Sequence, residues 1–309
     1  MKIIRDFSLI ETKTSASIGF FDGVHLGHRY LISRLKKYAQ KSKLKTAIIT
    51  FSVHPQKILK KKCHIFLLNT FKEKIKQLSS TGIDYCYIIK FTKTFSETTA
   101  KDFVQRTLYK QLQVRELLVG YDNKFGRGRI SGYKQYVEYG KICGIKVRQI
   151  KKLHEKNIYS SSTAIRKLLL KGKVEEAAHR LTYNYYLNGR VIKGNQLGRI
   201  IEFPTANISV LNKEKIIPCE GVYASYIFIN NKKYIGMTYI GKRPTICFGQ
   251  EKRIETNIFN FNKIIYDKKI QIEFILFIRH NIKFDNLQEL KKQLEKDKEK
   301  IKKLLQCNK

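Results

Sequence analysis

A change of hydrophobic rhythm near Thr182 constrains this chain more than any other feature of its sequence. Before it, short runs rich in Ile, Val, Tyr and Phe alternate with segments of helical spacing. The runs are Ser17–Phe21, Thr46–Phe51, Tyr85–Phe91, Leu117–Tyr121 and Lys146–Ile150; the helical segments are His28–Gln40, Thr70–Ser79, Ala100–Lys110 and Tyr133–Cys143. That alternation predicts an open parallel sheet with crossover helices, which binds ligands beyond the carboxyl ends of its strands. After Thr182 the strand candidates are Tyr185–Lys193, Val222–Ile229, Lys233–Tyr239 and Gln271–Arg279, with turn signals at Asn188-Gly189 and Asn230-Asn231. They predict a small antiparallel barrel or sandwich. A final amphipathic helix carries Leu287, Leu290, Leu294, Ile301, Leu304 and Leu305 as an apolar stripe that packs on those strands. Two domains follow, residues 1–182 and 183–309.

Composition matters for what it excludes. The 62 Lys and Arg against 25 Asp and Glu give a net charge of +37, which invites a nucleic-acid reading. The excess is spread, however: 38 basic and 13 acidic residues up to Thr182, 24 and 12 beyond it. Lys far outnumbers Arg, Ile, Asn and Tyr are abundant and Trp is absent, a pattern that AT-rich coding produces, so no dedicated nucleic-acid partner is expected. A hydrophobic content of 42% argues against disorder. No run reaches the roughly 18–20 apolar residues of a membrane span, so no membrane association is expected. The start Met1-Lys2-Ile3-Ile4-Arg5-Asp6 has no signal-peptide character, and the six cysteines include no C-x-x-C pair. Both point to a cytoplasmic protein with reduced thiols.

The first chemical constellation is Gly19-Phe20-Phe21-Asp22-Gly23-Val24-His25-Leu26-Gly27-His28, between a strand and a helix. Glycines there let backbone N–H groups approach an anion, and the helix N-terminus adds its dipole. Gly19, Phe20, Asp22 and Gly23 are therefore candidate phosphate-loop residues. His25 and His28, three apart around Gly27, can converge on one phosphate and stabilise charge that grows in the transition state. Far downstream, Ser161-Ser162-Thr163-Ala164-Ile165-Arg166 opens another helix, and its hydroxyls and guanidinium suit phosphate oxygens.

A second constellation runs from Tyr186 to Asn207. Gly194 and its neighbouring glycines permit a tight loop near phosphates, and Arg199 adds positive charge. Thr205 and Asn207, two apart on an extended segment, point the same way and are hard neutral ligands suited to a Mg2+ shared with nucleotide phosphates.

The HxGH and SSTxIR elements resemble the two signatures of the nucleotidyltransferase half of bacterial bifunctional riboflavin kinase/FAD synthetases. The likeness extends through Thr50-Phe51-Ser52-Val53-His54-Pro55 and through Val119-Gly120-Tyr121-Asp122-Asn123-Lys124-Phe125-Gly126. By resemblance, His54, Asp122 and Phe125 contact the flavin. The second constellation resembles the riboflavin kinase half, including Phe203-Pro204-Thr205-Ala206-Asn207, Gly221-Val222-Tyr223 and Arg253-Ile254-Glu255-Thr256-Asn257. The alignment puts Glu255 in the place of the catalytic base. Glu202, Tyr239 and Asn260 depart from the family's glycine, asparagine and aspartate, and Asn123 from its phenylalanine.

The resemblance implies an α/β nucleotidyltransferase domain with a Rossmann-like open parallel sheet, then a small antiparallel β-barrel kinase domain with a C-terminal helix. It implies phosphorylation of riboflavin to FMN and adenylyl transfer from ATP to FMN, giving FAD and pyrophosphate, with Mg2+. The expected partners are riboflavin, FMN and ATP, and His25, His28, Arg166 and Glu255 are the expected catalytic residues. A monofunctional FAD synthetase with a decayed kinase half, or an RNA-binding protein, are the alternatives.

Overall fold

The computed structural model describes residues 1–8, 10–59, 66–121, 123–150, 160–194, 198, 201–242 and 252–306. Contacts divide the chain into two units, Met1–Ser162 and Thr163–Lys309. The break falls earlier than the change of rhythm at Thr182, because the helical segment between them packs with the strands that follow it.

The first unit holds six parallel strands: β1 (Lys2–Ile4), β2 (Thr14–Ile18), β3 (Lys45–Phe51), β4 (Tyr85–Ile89), β5 (Val114–Val119) and β6 (Lys146–Gln149). Their order across the sheet is β1-β4-β3-β2-β5-β6. The crossovers are α1 (Leu26–Lys41), α2 (Pro55–Leu59), α3 (Phe71–Ser79), α4 (Lys93–Ser96), α5 (Ala100–Asp102) and α6 (Tyr133–Cys143); α5 runs on as a π-helix over Phe103–Gln111. Alternate residues of the strands feed two cores. Ile48, Cys86, Ile88 and Leu118 meet Leu31, Ile32 and Leu35 of α1, while Ala47, Ile49, Tyr87 and Leu117 meet Phe103, Val104 and Leu108. Covering both faces is what a parallel sheet requires. From β2 the chain steps to β3 on one side and later to β5 on the other, so the strand order reverses beside β2 and opens a crevice at its carboxyl end.

The strand expected at Ser17–Phe21 is Thr14–Ile18, buried at every position. Gly19 to Phe21 leave the sheet. Phe21 takes a left-handed φ of 56° and buries its ring, so the apolar run continues through a turn rather than a strand.

The second unit begins within α7 (Ser162–Leu170) and continues with α8 (Val174–Leu181). Six antiparallel strands follow: β7 (Tyr186–Ile192), β8 (Ala206–Val210), β9 (Gly221–Ile229), β10 (Lys232–Lys242), β11 (Lys252–Ile258) and β12 (Lys269–Arg279). They close into a barrel in the order β10-β11-β8-β7-β12-β9, which settles barrel against sandwich. Asn188-Gly189 is not a turn. It lies inside β7, where Gly189 pairs with Ile270 and Val210, and any Cβ there would run into the Ile208 side chain. Asn230-Asn231 does form the β9–β10 hairpin, both residues at positive φ. The last helix, α9 (Leu287–Gln306), packs Leu290, Leu294, Ile301 and Leu305 against Phe203, Val222 and Met237. Leu287 and Leu304 of the expected stripe are exposed.

Candidate active sites

The loop after β2 is built to present two imidazoles. His25 caps α1, and its ring lies over Gly27, where a Cβ would approach it to 3.2 Å. Its ring stacks on that of His28, centroids 3.8 Å apart and planes 23° from parallel, with Phe21 behind at 5.0 Å. The spacing around Gly27 therefore brings the pair together as expected. Burial first, then His25 and Lys74, pushes the His28 imidazole well below its ordinary pKa, so the ring is neutral at pH 7. Its Nδ1 is buried with no hydrogen-bond partner among the described residues. A neutral imidazole with an uncommitted buried nitrogen is equipped to bind a ligand.

Hydrogen bonds and tight turns hold the rest of the loop in place. Gly19 N–H donates to the Ile49 carbonyl at 3.0 Å, and Gly23 supplies a φ of 82°. The Phe20 carbonyl accepts from the Thr50 hydroxyl at 3.2 Å. Asp22, expected to touch phosphate, has its carboxylate turned to backbone instead: it accepts from Leu68 N–H at 3.1 Å and Asn69 N–H at 3.0 Å. Through these bonds the Asp22 carboxylate holds the backbone at Leu68 and Asn69 against the loop. The Asp22 backbone carbonyl accepts from the Ser162 hydroxyl at 2.8 Å, which joins the opening of the SSTxIR element to the first loop.

Ser161 is half-buried, Thr163 is exposed and Arg166 lies one helical turn after Ser162, at a half-buried position of α7. His54 Nδ1 accepts from Gln56 N–H at 3.2 Å, and its ring meets the Phe20 ring edge-on at 4.4 Å. Phe125 belongs to the core: it stacks on Tyr136 at 3.9 Å and meets Phe103 at 5.4 Å, so most of its ring serves packing. Asn123 donates to the Ile18 carbonyl at 2.5 Å, tying its loop to the end of β2. Asp122 lies outside the described residues. Lys74, which nothing in the sequence singled out, is buried beneath this loop and is considered below.

In the barrel, antiparallel register sets Glu255 of β11 opposite Asn207 of β8. The Thr205 hydroxyl donates to Glu255 Oε2 at 3.1 Å. Residues fifty apart in sequence thus meet across the barrel. Gly194 lies so close to Asn207 that a Cβ would strike its amide. Gly194, Gly198, Thr205, Asn207 and Thr256 line a cavity of about 340 Å3. Thr205 spends its proton on Glu255, which leaves lone pairs beside the Asn207 amide, so this oxygen set fits a hard cation. Among the described residues no group of three His, Cys, Asp or Glu could hold a metal. Arg199 lies outside the described residues.

Two further side chains frame Glu255. Arg253 Nε pairs with its Oε1, and Tyr239 stands opposite it in β10, its phenol pushed up by burial and then by Glu255. Glu202 has φ 60°, the left-handed region that explains a glycine at this position in relatives. Its carboxylate is exposed and pairs with Lys291 Nζ at 2.5 Å. Asn260 also takes a positive φ, which asparagine and aspartate tolerate alike.

A family model described as FAD synthetase matches residues 8–164, and one described as riboflavin kinase matches residues 181–305. A bifunctional riboflavin kinase/FMN adenylyltransferase of Buchnera aphidicola subsp. Schizaphis graminum is 38% identical over 98% of this chain and 98% of its own length. The protein of that name from Bacillus subtilis is 35% identical over 94% and 92%. A crystal structure described as a macrolide-efflux protein from Streptococcus pneumoniae superposes with a TM-score of 0.87 at 30% identity, covering 96% of this chain and 97% of that one. Among the described residues no helix is long and apolar enough to cross a membrane.

Proposed function

The chain belongs to the bifunctional riboflavin kinase/FMN adenylyltransferase family and carries both of its domains, and we propose the residue roles by which it turns riboflavin into FMN and FMN into FAD. Both domains being present favours the bifunctional reading over a monofunctional one.

In the kinase domain, assigned to residues 183–309, Glu255 accepts the proton of the riboflavin 5′-hydroxyl as that oxygen bonds to the γ-phosphorus of ATP. The bond to ADP breaks. Thr205 and Asn207 would hold Mg2+, which supplies neutralisation of phosphate charge. Gly194 keeps the loop close to Asn207, and Arg199 adds positive charge. Thr205 links metal ligand and base through its hydrogen bond to Glu255.

In the adenylyltransferase domain, assigned to residues 1–182, a phosphate oxygen of FMN attacks the α-phosphorus of ATP. The P–O bond to the β-phosphate breaks and pyrophosphate leaves. His25 and His28 donate N–H to the oxygens that gain charge, and Arg166, with Ser161 and Thr163, balances phosphate charge. His54, on the Phe20 ring, and Asp122 are assigned to the flavin, with Phe125 shaping the wall from the core. Position and neutralisation suffice, since no covalent nucleophile is required. The compartment proposed for this chemistry is the cytoplasm.

The observation that carries these roles is the His25–His28 stack with a buried nitrogen left over at the carboxyl end of β2. Purified protein given riboflavin, ATP and Mg2+ should yield FMN and then FAD by chromatography. Conversion of FMN to FAD without any conversion of riboflavin to FMN would remove the kinase assignment.

A further inference from the structure

Lys74 is 2% exposed, and neither reaction step described above uses it. Its Nζ donates to the Phe20 carbonyl at 3.1 Å, the Thr50 hydroxyl at 3.1 Å and the Phe51 carbonyl at 3.0 Å. The ammonium also lies 3.9 Å from the centroid of the Phe20 ring. Among the described residues no carboxylate forms an ion pair with it. Burying a charge carries a desolvation penalty that Asp22, acting from beyond ion-pair distance, offsets only in part, whereas Met would fill the same space without that penalty. A core-packing role therefore leaves the charge unexplained.

Its acceptors locate the purpose. Phe51 ends β3, and Phe20 follows the end of β2, so one ammonium joins the carboxyl ends of two neighbouring strands. The Phe20 ring it holds is the ring against which His54 rests. Burial lowers the lysine to about pKa 8, with Asp22 and then Cys86 acting in the opposite sense, so it stays largely protonated at pH 7.

We propose that Lys74 is a positioning residue for adenylyl transfer, fixing the Phe20 loop and the Phe51–His54 segment so that FMN meets His25 and His28 in reactive geometry. The proposal rests on the adenylyl-transfer reading of this domain. The test compares full-length wild type, Lys74→Met, Phe20→Leu and the double variant, assayed for FAD formation from FMN and ATP and, separately, for FMN formation from riboflavin. Lys74→Met should lower kcat for FAD formation by about tenfold to a hundredfold, the scale of a misplaced reacting group, with KM for ATP within about threefold and riboflavin phosphorylation unchanged. The double variant should lose little beyond Lys74→Met alone, since both changes release the same ring. Thr50→Val, which removes one acceptor, should show a smaller fall in the same parameter and serves if Lys74→Met fails to fold. Wild-type rates from either folded variant, or strictly additive losses with Phe20→Leu, would overturn the proposal. Wild type that forms no FAD from FMN would overturn the adenylyl-transfer reading instead.

Discussion

In the sheet unit the groups proposed to meet phosphate are nitrogens, His25 and His28, stacked just after the end of β2. In the barrel they are oxygens: the Thr205 hydroxyl, the Asn207 amide and the Glu255 carboxylate, with Arg253 paired to the last. Nitrogen donors, even on a neutral ring, can hydrogen-bond a phosphate oxygen directly. Oxygen lone pairs that face a phosphate call for a cation between them, which is why Thr205 and Asn207 are proposed to hold Mg2+. The scaffolds differ correspondingly. A parallel sheet gathers loops and a helix N-terminus at one end, whereas a barrel places side chains by cross-strand register.

If the two sites are separate, single changes should uncouple the reactions. The largest effect is expected at Glu255→Gln, which removes the base but keeps the shape: riboflavin phosphorylation should fall by about 10²–10⁴-fold while FMN still becomes FAD. His28→Ala should do the reverse, cutting FAD formation by about 10²–10³-fold with FMN formation intact. Chromatography of both products reads both variants. Loss of both activities in either folded variant would break the comparison.

A pH experiment sharpens it. Lys74 titrates near 8 when folded against an ordinary 10.5, so between those values the unfolded chain holds a proton that the folded chain has released. Stability of wild type relative to Lys74→Met should therefore rise with pH across that window, by about 1.4 kcal/mol per pH unit. FAD formation should decline over the same range as the brace loses its charge. Cys86, raised to about 11 by burial, acts oppositely above pH 9, but both variants retain it; Asp22 and His28 also face Lys74 and are common to both. Denaturant midpoints and rates from pH 7 to 10 test the two opposed slopes.

The smallest effect is expected at Glu202→Gly. Relief of a left-handed φ and loss of a solvent-screened surface ion pair act in opposite directions, so the denaturant midpoint should barely move. Riboflavin phosphorylation should not change. A marked gain in kinase rate would show that the carboxylate reaches the ATP site after all.

Much of this was readable before any coordinates. His25 and His28 sit in one short motif, and Thr205, Asn207 and Glu255 lie on extended segments where period two fixes the facing side. Lys74 escaped because Lys72-Glu73-Lys74-Ile75-Lys76 looks like a solvated helix face in a chain with so many lysines. The available signal was its place in the stripe Phe71, Lys74, Ile75, Leu78, where a charge is out of keeping. Arg253 was likewise visible only as a residue two before Glu255, hence on the same face. Asp22 and Phe125 could be named as candidates, but their local partners could not be read: backbone N–H groups claim one and a tyrosine ring the other. Glu202 needed φ, which sequence does not print.

The closed barrel has one more consequence. Every one of its strands already has a neighbour on both sides, so a stray chain finds no row of unpaired backbone groups to extend. Among the described residues the open sheet ends at β1 and β6, three and four residues long. Lys2 and Lys146 lie exposed on those borders. Part of the chain's diffuse positive charge thus stands guard where polymerisation by strand addition would otherwise begin.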